Sequence, residues 1–169
     1  MEQNIENKIQ IKDKLVHFYN ANKLKVYGIF LLLIIIGLSG TWININIERK
    51  NNINAEKYVQ AGLYLAEGDK KNAKKIYEEI ILNKNKFYSN LAFNTVLEKD
   101  LEIDKKKILA YFEILEELNY TEEKKDLISL KKALYLIKNS EIKKGNDLLK
   151  KITEKDSNFK FIAEELIAK

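Results

Sequence analysis

Twenty-two consecutive residues without a charge, VYGIFLLLIIIGLSGTWININI from Val26 to Ile47, constrain this 169-residue chain more than any other feature. A small soluble domain has no place for such a run. Its most apolar 18 residues, Val26 to Ile43, would extend roughly 27 Å as a helix, close to the hydrocarbon thickness of a bilayer at about 30 Å. Lys23 and Lys25 precede the run, Arg49 and Lys50 follow it, and Tyr27 and Trp42 stand near its two ends, where amphipathic rings settle at the membrane–water interface. The run therefore predicts a transmembrane helix over 26–47, in contact with the lipid bilayer. Two alternatives compete. A cleaved signal peptide would have a shorter apolar core, a shorter basic leader and small residues before the cut, whereas the leader here has 25 residues and Ser39-Gly40-Thr41 is a poor cleavage site. A buried core helix would need far more apolar wrapping than a lysine-rich remainder of 122 residues supplies.

Orientation follows from what must cross. Lys12, Lys14, Lys23 and Lys25 flank the N-terminal side and Arg49, Lys50 and Lys57 the C-terminal side, so the positive-charge bias is only slight. A short leader left behind and a long C-terminal domain translocated is the common arrangement. The expected topology is single-pass, with the N-terminus cytoplasmic and residues 48–169 outside. Residues 1–25 read as an amphipathic leader, with Ile11, Leu15, Phe18 and Tyr19 on one helical face and Lys8, Lys12, Asp13 and Lys14 around the rest.

Composition removes whole classes of chemistry. The chain has no cysteine and a single histidine, His17 in the leader, which excludes disulfides, thiolate nucleophiles, Cys-rich zinc sites and a cysteine-borne lipid anchor. His17 reads as a solvated or headgroup-level residue rather than a metal ligand. Lysine outnumbers arginine 29 to 1, and together with 18 Asn and 23 Ile this reflects a bias towards AT-rich codons. Lysine without arginine is a poor composition for nucleic-acid recognition, where the planar guanidinium fork is preferred. No glycine-rich phosphate loop, no paired carboxylates on an active-site frame and no metal-ligand cluster appears, so neither an enzyme, a cofactor nor a small-molecule substrate is expected.

Residues 48–169 carry 25 basic and 22 acidic side chains, no proline and three glycines, Gly62, Gly68 and Gly145. Apolar residues recur there at helical spacing, as in Ile76, Tyr77, Ile80 and Ile81, or Ile108, Tyr111, Phe112 and Leu115. Short polar breaks at EGD, NKNK, EKDLEID, LNYTEE, KNSE and KDSN separate seven such segments. The fold class predicted is all-α, built from antiparallel helix pairs. The runs Lys70-Lys71, Lys105 to Lys107, Lys124-Lys125 and Lys143-Lys144 read as solvated faces opposed by Glu78-Glu79 and Glu116-Glu117.

The stretch AGLYLAEGDKKNAKKIYEEIILNKN resembles a tetratricopeptide repeat, with small Ala61 and Ala73, aromatic Tyr64 and Tyr77, Gly68-Asp69 at the turn and Ile80-Ile81 closing the second helix. It departs from the pattern at Lys57 and Gln60, where large apolar residues belong, and at Asn85, where proline is usual. A second unit, through Tyr88, Leu91, Ala92, Ile108, Phe112 and Leu115, fits only with a lengthened turn; a third, through Ala133, Leu136, Gly145, Leu149 and Ile152, fits without one. NFKFIAEELIA then reads as a capping helix. Tyr64, Tyr88 and Tyr111 are the candidate partner-groove contacts, each with a polar tip on an apolar body, and hydrophobic core is the competing role for each.

The order of parts, with LVHFYNANKLKVYGIF leading through a polar hinge into the membrane segment, FYSNLAFNTVLEKD after the first repeat and FIAEELIAK at the end, resembles the bacterial family of single-pass inner-membrane proteins with a periplasmic tetratricopeptide-like domain, the ancillary subunits of the Sec translocon. The resemblance implies an adaptor whose partners are translocon subunits and a membrane-anchored periplasmic chaperone, assisting the folding of exported proteins. A scaffold for cell-envelope assembly, in cell division or cytochrome maturation, would use the same kind of surface.

Overall fold

The computed structural model describes residues 2–167, apart from the side chains of residues 2–11, 13, 15, 40, 41 and 43. All regular structure among them is helical: α1 (Glu2–Ala66), α2 (Lys70–Leu82), α3 (Tyr88–Glu98), α4 (Lys105–Glu116), α5 (Glu122–Lys138), α6 (Ile142–Thr153) and α7 (Lys160–Ile167). The chain divides into two compact units, residues 1–49 and 50–169.

The first unit lies within α1. One window of 18 residues in this helix has a mean hydropathy of 2.2 and none of it is buried, so one helix near the N-terminus is long and apolar enough to cross a membrane. Ser39 donates its hydroxyl to the Ile35 carbonyl at 2.7 Å, which satisfies a polar group inside the apolar stretch. Asn22 has φ −124° and ψ 22°, outside helical values, and its side-chain amide donates to the Phe18 carbonyl at 3.1 Å. The helix is therefore kinked within the Asn20-Ala21-Asn22-Lys23 hinge. Across the kink the Tyr19 and Tyr27 hydroxyls meet at 2.7 Å, their rings edge to face. Of the expected apolar face of the leader, Phe18 and Tyr19 are exposed, while the side chains of Ile11 and Leu15 lie outside the described residues.

The second unit begins with the last turns of α1 and continues through α7. Its breaks fall where the sequence places them, and local chemistry explains why. Asp69 and Asp104 cap α2 and α4 by accepting from the backbone N–H of Asn72 (3.0 Å) and Lys106 (2.8 Å), and Thr121 does the same for α5. Asn85, where the repeat pattern has proline, holds the α2–α3 turn through its side chain instead. Its side-chain oxygen accepts from the N–H groups of Phe87 and Tyr88, at 3.1 and 2.9 Å, while its amide donates to Asn51 at 2.6 Å. Four helices end on a residue of positive φ: Gly68, Lys84, Asp100 and Ser140. After three of them a reverse backbone bond returns to the last turn, as in Leu101 N–H to Val96 O at 3.0 Å; after Lys84 the buried Ser89 hydroxyl donates to Ile80 O at 2.7 Å instead.

Two hydrophobic clusters hold this unit. The larger gathers Ala61, Tyr77, Ile80, Ala92, Phe93, Ile108, Phe112 and Ile128 from α1 to α5, with Phe93 and Phe112 edge to face at 4.6 Å. The smaller joins α5, α6 and α7 through Leu130, Ala133, Leu149, Ile152 and Ala163. α5 lies closest against α6, α2 against α3 and α6 against α7, while α4 meets α2, α3 and α5 over shorter stretches. The lengthened turn between α3 and α4 is anchored by Leu101 in the larger cluster and by buried Glu102.

The α5–α6 crossing depends on Gly145. A Cβ there would fall 2.4 Å from Ile137 Cγ1 and 2.8 Å from the Ala133 carbonyl oxygen, and the latter is backbone that has no rotamer to yield. At Gly62 a Cβ would meet only the Tyr77 hydroxyl, at 3.9 Å. Gly145→Ala is therefore expected to destabilise the unit by about 1–3 kcal/mol through overpacking, whereas Gly62→Ala gains about 0.5–1 kcal/mol of helix propensity. Urea unfolding of the two variants checks this, and equal effects would contradict the close crossing.

Candidate binding groove

The three tyrosines expected to face a partner all touch one core. Tyr111 is only 6% exposed and belongs to the larger cluster, where its hydroxyl donates to Glu78 at 2.6 Å. Burial, and then the Glu78 hydrogen bond and charge, push its pKa above the ordinary tyrosine range. Tyr64 and Tyr88 are partly buried against the same cluster, and the Tyr88 ring lies 6.5 Å from Tyr58 and 4.9 Å from Phe87. Each therefore presents at most part of its ring to solvent.

Around Tyr111 the polar groups form a closed network. Glu102 Oε1 accepts from the N–H groups of Ile103 and Asp104, both at 2.9 Å, and Oε2 pairs with Lys74 at 2.8 Å and Lys107 at 3.4 Å. Lys107 also reaches Glu78 at 3.3 Å. Burial by itself would raise the Glu102 pKa; the Lys74 hydrogen bond, the two backbone donors and the Lys74 charge outweigh it and hold the carboxyl down to about 2. Every member is engaged with another, which is how a structural clasp is built. The lysine run 105–107 thus splits its duties: Lys107 joins this clasp, and Lys105 pairs with Glu141 across to the start of α6.

An open surface lies elsewhere, between the N-terminal ends of α3 and α5. A cleft of about 510 Å³ is lined there by Lys86, Phe87, Asn90 and Leu91 on one side and by Asn119, Tyr120, Thr121 and Lys124 on the other. Tyr120 braces it: its hydroxyl donates to the Lys86 carbonyl at 2.5 Å and so ties the α4–α5 turn to the α2–α3 turn. Phe87 is 65% exposed and offers an apolar ring beside these polar groups. Two turns along α5 from Lys124, Lys131 crosses to α3 and donates to Asn94 at 2.8 Å. Burial, and then the charge of Lys124, pull the Lys131 pKa below the ordinary lysine range.

No family model, curated protein or solved structure matches this chain. The groove must therefore be read from its own chemistry. Among the described residues no group of three or more His, Cys, Asp or Glu could hold a metal ion. The groove instead offers cationic heads, side-chain amides and one exposed ring, an assortment suited to holding a chain. Sequence reading singled out none of Lys86, Asn90, Asn94 or Lys131 and put Lys124 on a solvated face. A signal was present in the i, i+4 pair Asn90/Asn94 and the i, i+7 pair Lys124/Lys131, but in a chain this rich in Lys and Asn such spacings recur everywhere.

Proposed function

We propose that this chain is a membrane-anchored adaptor that binds other proteins through its helical unit. The observation that carries the reading is the pairing of an uncharged helical stretch over 26–47, in a helix whose most apolar window is nowhere buried, with a compact helical unit bearing an open cleft of mixed apolar and cationic character. An anchor confines the cleft to the plane of a membrane and raises its effective concentration towards other membrane-bound partners. In this reading the helix pairs are degenerate tetratricopeptide hairpins, a view supported by the close α5–α6 crossing at Gly145 and by Asn85 capping the second unit. Residues 1–25 are cytoplasmic and 48–169 periplasmic. The partners favoured by the family resemblance are Sec translocon subunits and a membrane-anchored periplasmic chaperone.

Two experiments test this. A photocrosslinker at the exposed Phe87 in native membranes is expected to capture translocon subunits or a periplasmic chaperone. Capture of division or cytochrome-maturation proteins would transfer the adaptor to envelope assembly, and capture of no protein would overturn the adaptor reading. For topology, Ser140→Cys in the α5–α6 turn introduces the chain's one thiol. It is expected to react with a membrane-impermeant maleimide in spheroplasts, and protection there would reverse the orientation.

A further inference from the structure

We propose that the seam between α3 and α5, running from the cleft at Asn90 and Lys124 to the Lys131–Asn94 pair beyond its lining, reads an acidic, extended segment of a partner protein, with Lys124 and Lys131 each taking a carboxylate and Asn90 and Asn94 holding the peptide backbone between them. The inference rests on the adaptor reading and adds the ligand's chemistry.

Unmet cationic charge points to it first. Neither Lys86, Lys124 nor Lys131 has a carboxylate within 4.0 Å among the described residues, although acidic side chains are plentiful nearby. Those carboxylates are engaged away from the cleft: Glu116 with Lys132 at 2.8 Å, Glu117 with Lys84 at 2.6 Å, Glu122 with Lys125 at 2.7 Å and Asp126 with Lys155 at 3.1 Å. Glu123 accepts from Asn158 at 2.9 Å. Lys131 is the most telling of the three cations. It is half-buried, and its ammonium has three donors of which the neutral Asn94 oxygen takes one. A desolvated cation facing an amide is stabilised by any anion that arrives, and the depressed pKa of Lys131 expresses the same deficit.

Spacing then selects the kind of anion. Lys124 and Lys131 are seven residues apart on α5, roughly 10 Å along the axis, which matches about three residues of polyproline II chain, whose three-residue turn brings side chains i and i+3 to the same side. Two carboxylates at i and i+3, or a side-chain carboxylate and a chain terminus at that distance, meet both lysines together. Asn90 and Asn94 lie one turn apart on the facing helix. The Asn94 amide N–H groups remain for a peptide carbonyl while its oxygen holds Lys131, and Asn90 makes no side-chain hydrogen bond among the described residues. An apolar residue beside the carboxylates has Phe87 and Leu91 to rest on. A phosphate group, compact and best gripped by an arginine fork, matches these separated lysines and amides less well.

The test uses the full chain in nanodiscs of neutral lipid and a fluorescent ten-residue Gly/Ser peptide with one leucine and two glutamates at i and i+3, read by anisotropy. Binding is expected, with about tenfold loss when both glutamates become glutamine or when Lys131→Gln or Lys124→Gln is introduced. Lys143→Gln on α6, outside the cleft, is expected to leave affinity unchanged. Lys124 makes no side-chain hydrogen bond among the described residues, so its variant keeps the assay decisive if Lys131→Gln perturbs folding. Equal affinity for the glutamine peptide, indifference to both cleft variants, or full competition by inorganic phosphate or by anionic vesicles would each overturn the proposal. Because the purified chain meets no cellular partner here, loss of peptide binding with crosslinking intact refutes the acidic ligand alone. The reverse outcome refutes the adaptor's assigned partners alone.

Discussion

Phe112→Ala is expected to cost the helical unit about 3–5 kcal/mol, the largest loss of any single truncation considered. Phe112 is fully buried, meets Phe93 edge to face at 4.6 Å and lies 5.9 Å from the Tyr135 ring, so its removal empties the junction of α3, α4 and α5 at once. A domain of this size has about 5–15 kcal/mol to lose, so the variant should melt more than about 10 °C lower and populate unfolded chain at growth temperature. Phe161, 76% exposed on α7, is the control: truncating it is expected to change stability by less than about 0.5 kcal/mol. Thermal unfolding followed by circular dichroism compares the two. Similar shifts would show that the larger cluster is not centred where the rings meet.

Acid is expected to weaken the unit through Glu102. Its carboxyl is held down to about 2 in the folded state against an ordinary value of 4.5, so its contribution is complete above pH 4.5 and is lost as the pH falls towards 2. The shift corresponds to at most about 3 kcal/mol. Glu102→Gln keeps an acceptor for the N–H groups of Ile103 and Asp104 but removes the charge that binds Lys74 and Lys107. At neutral pH the variant should be less stable by most of that amount, and the two stability curves should converge as the pH drops to 2. Urea midpoints measured across that range decide it. Parallel curves would mean that the loss is steric rather than ionic.

Periodicity was enough to read the helices and their breaks, because each break carries its own chemistry: Asp69, Asp104 and Thr121 are side-chain caps, and Gly68 supplies a positive φ. The uncharged stretch over 26–47 was equally plain, since no tertiary context alters its length or apolarity. The ends at Lys84, Asp100 and Ser140 were harder. Each adopts positive φ without the glycine that would announce it, held by the backbone around it. Glu102 escaped notice for a related reason. It lies in EKDLEID, a break with four other charged residues, and only the folding-in of Leu101 carries it beneath Lys74 and Lys107. The tyrosines illustrate a third limit: a repeat template assigns Tyr64, Tyr88 and Tyr111 to helix positions, but the rotation of each helix decides how much ring reaches solvent. The cleft was invisible because its residues come from α3, the α4–α5 turn and α5, and their common chemistry is an absence of countercharge, which no local spacing records.

α5 contributes to both hydrophobic clusters, with Ile128 in the larger and Leu130 and Ala133 in the smaller. Its neighbours are not bound so evenly, since α7 and most of the apolar face of α6 are held by the smaller cluster alone. Opening is therefore graded along the chain. The C-terminal pair is expected to open locally before the larger cluster does, whereas release of α5 would disrupt both clusters. The wall that carries Lys124 and Lys131 is thus expected to be among the slowest-exchanging parts of the unit, so that a partner would meet it already formed.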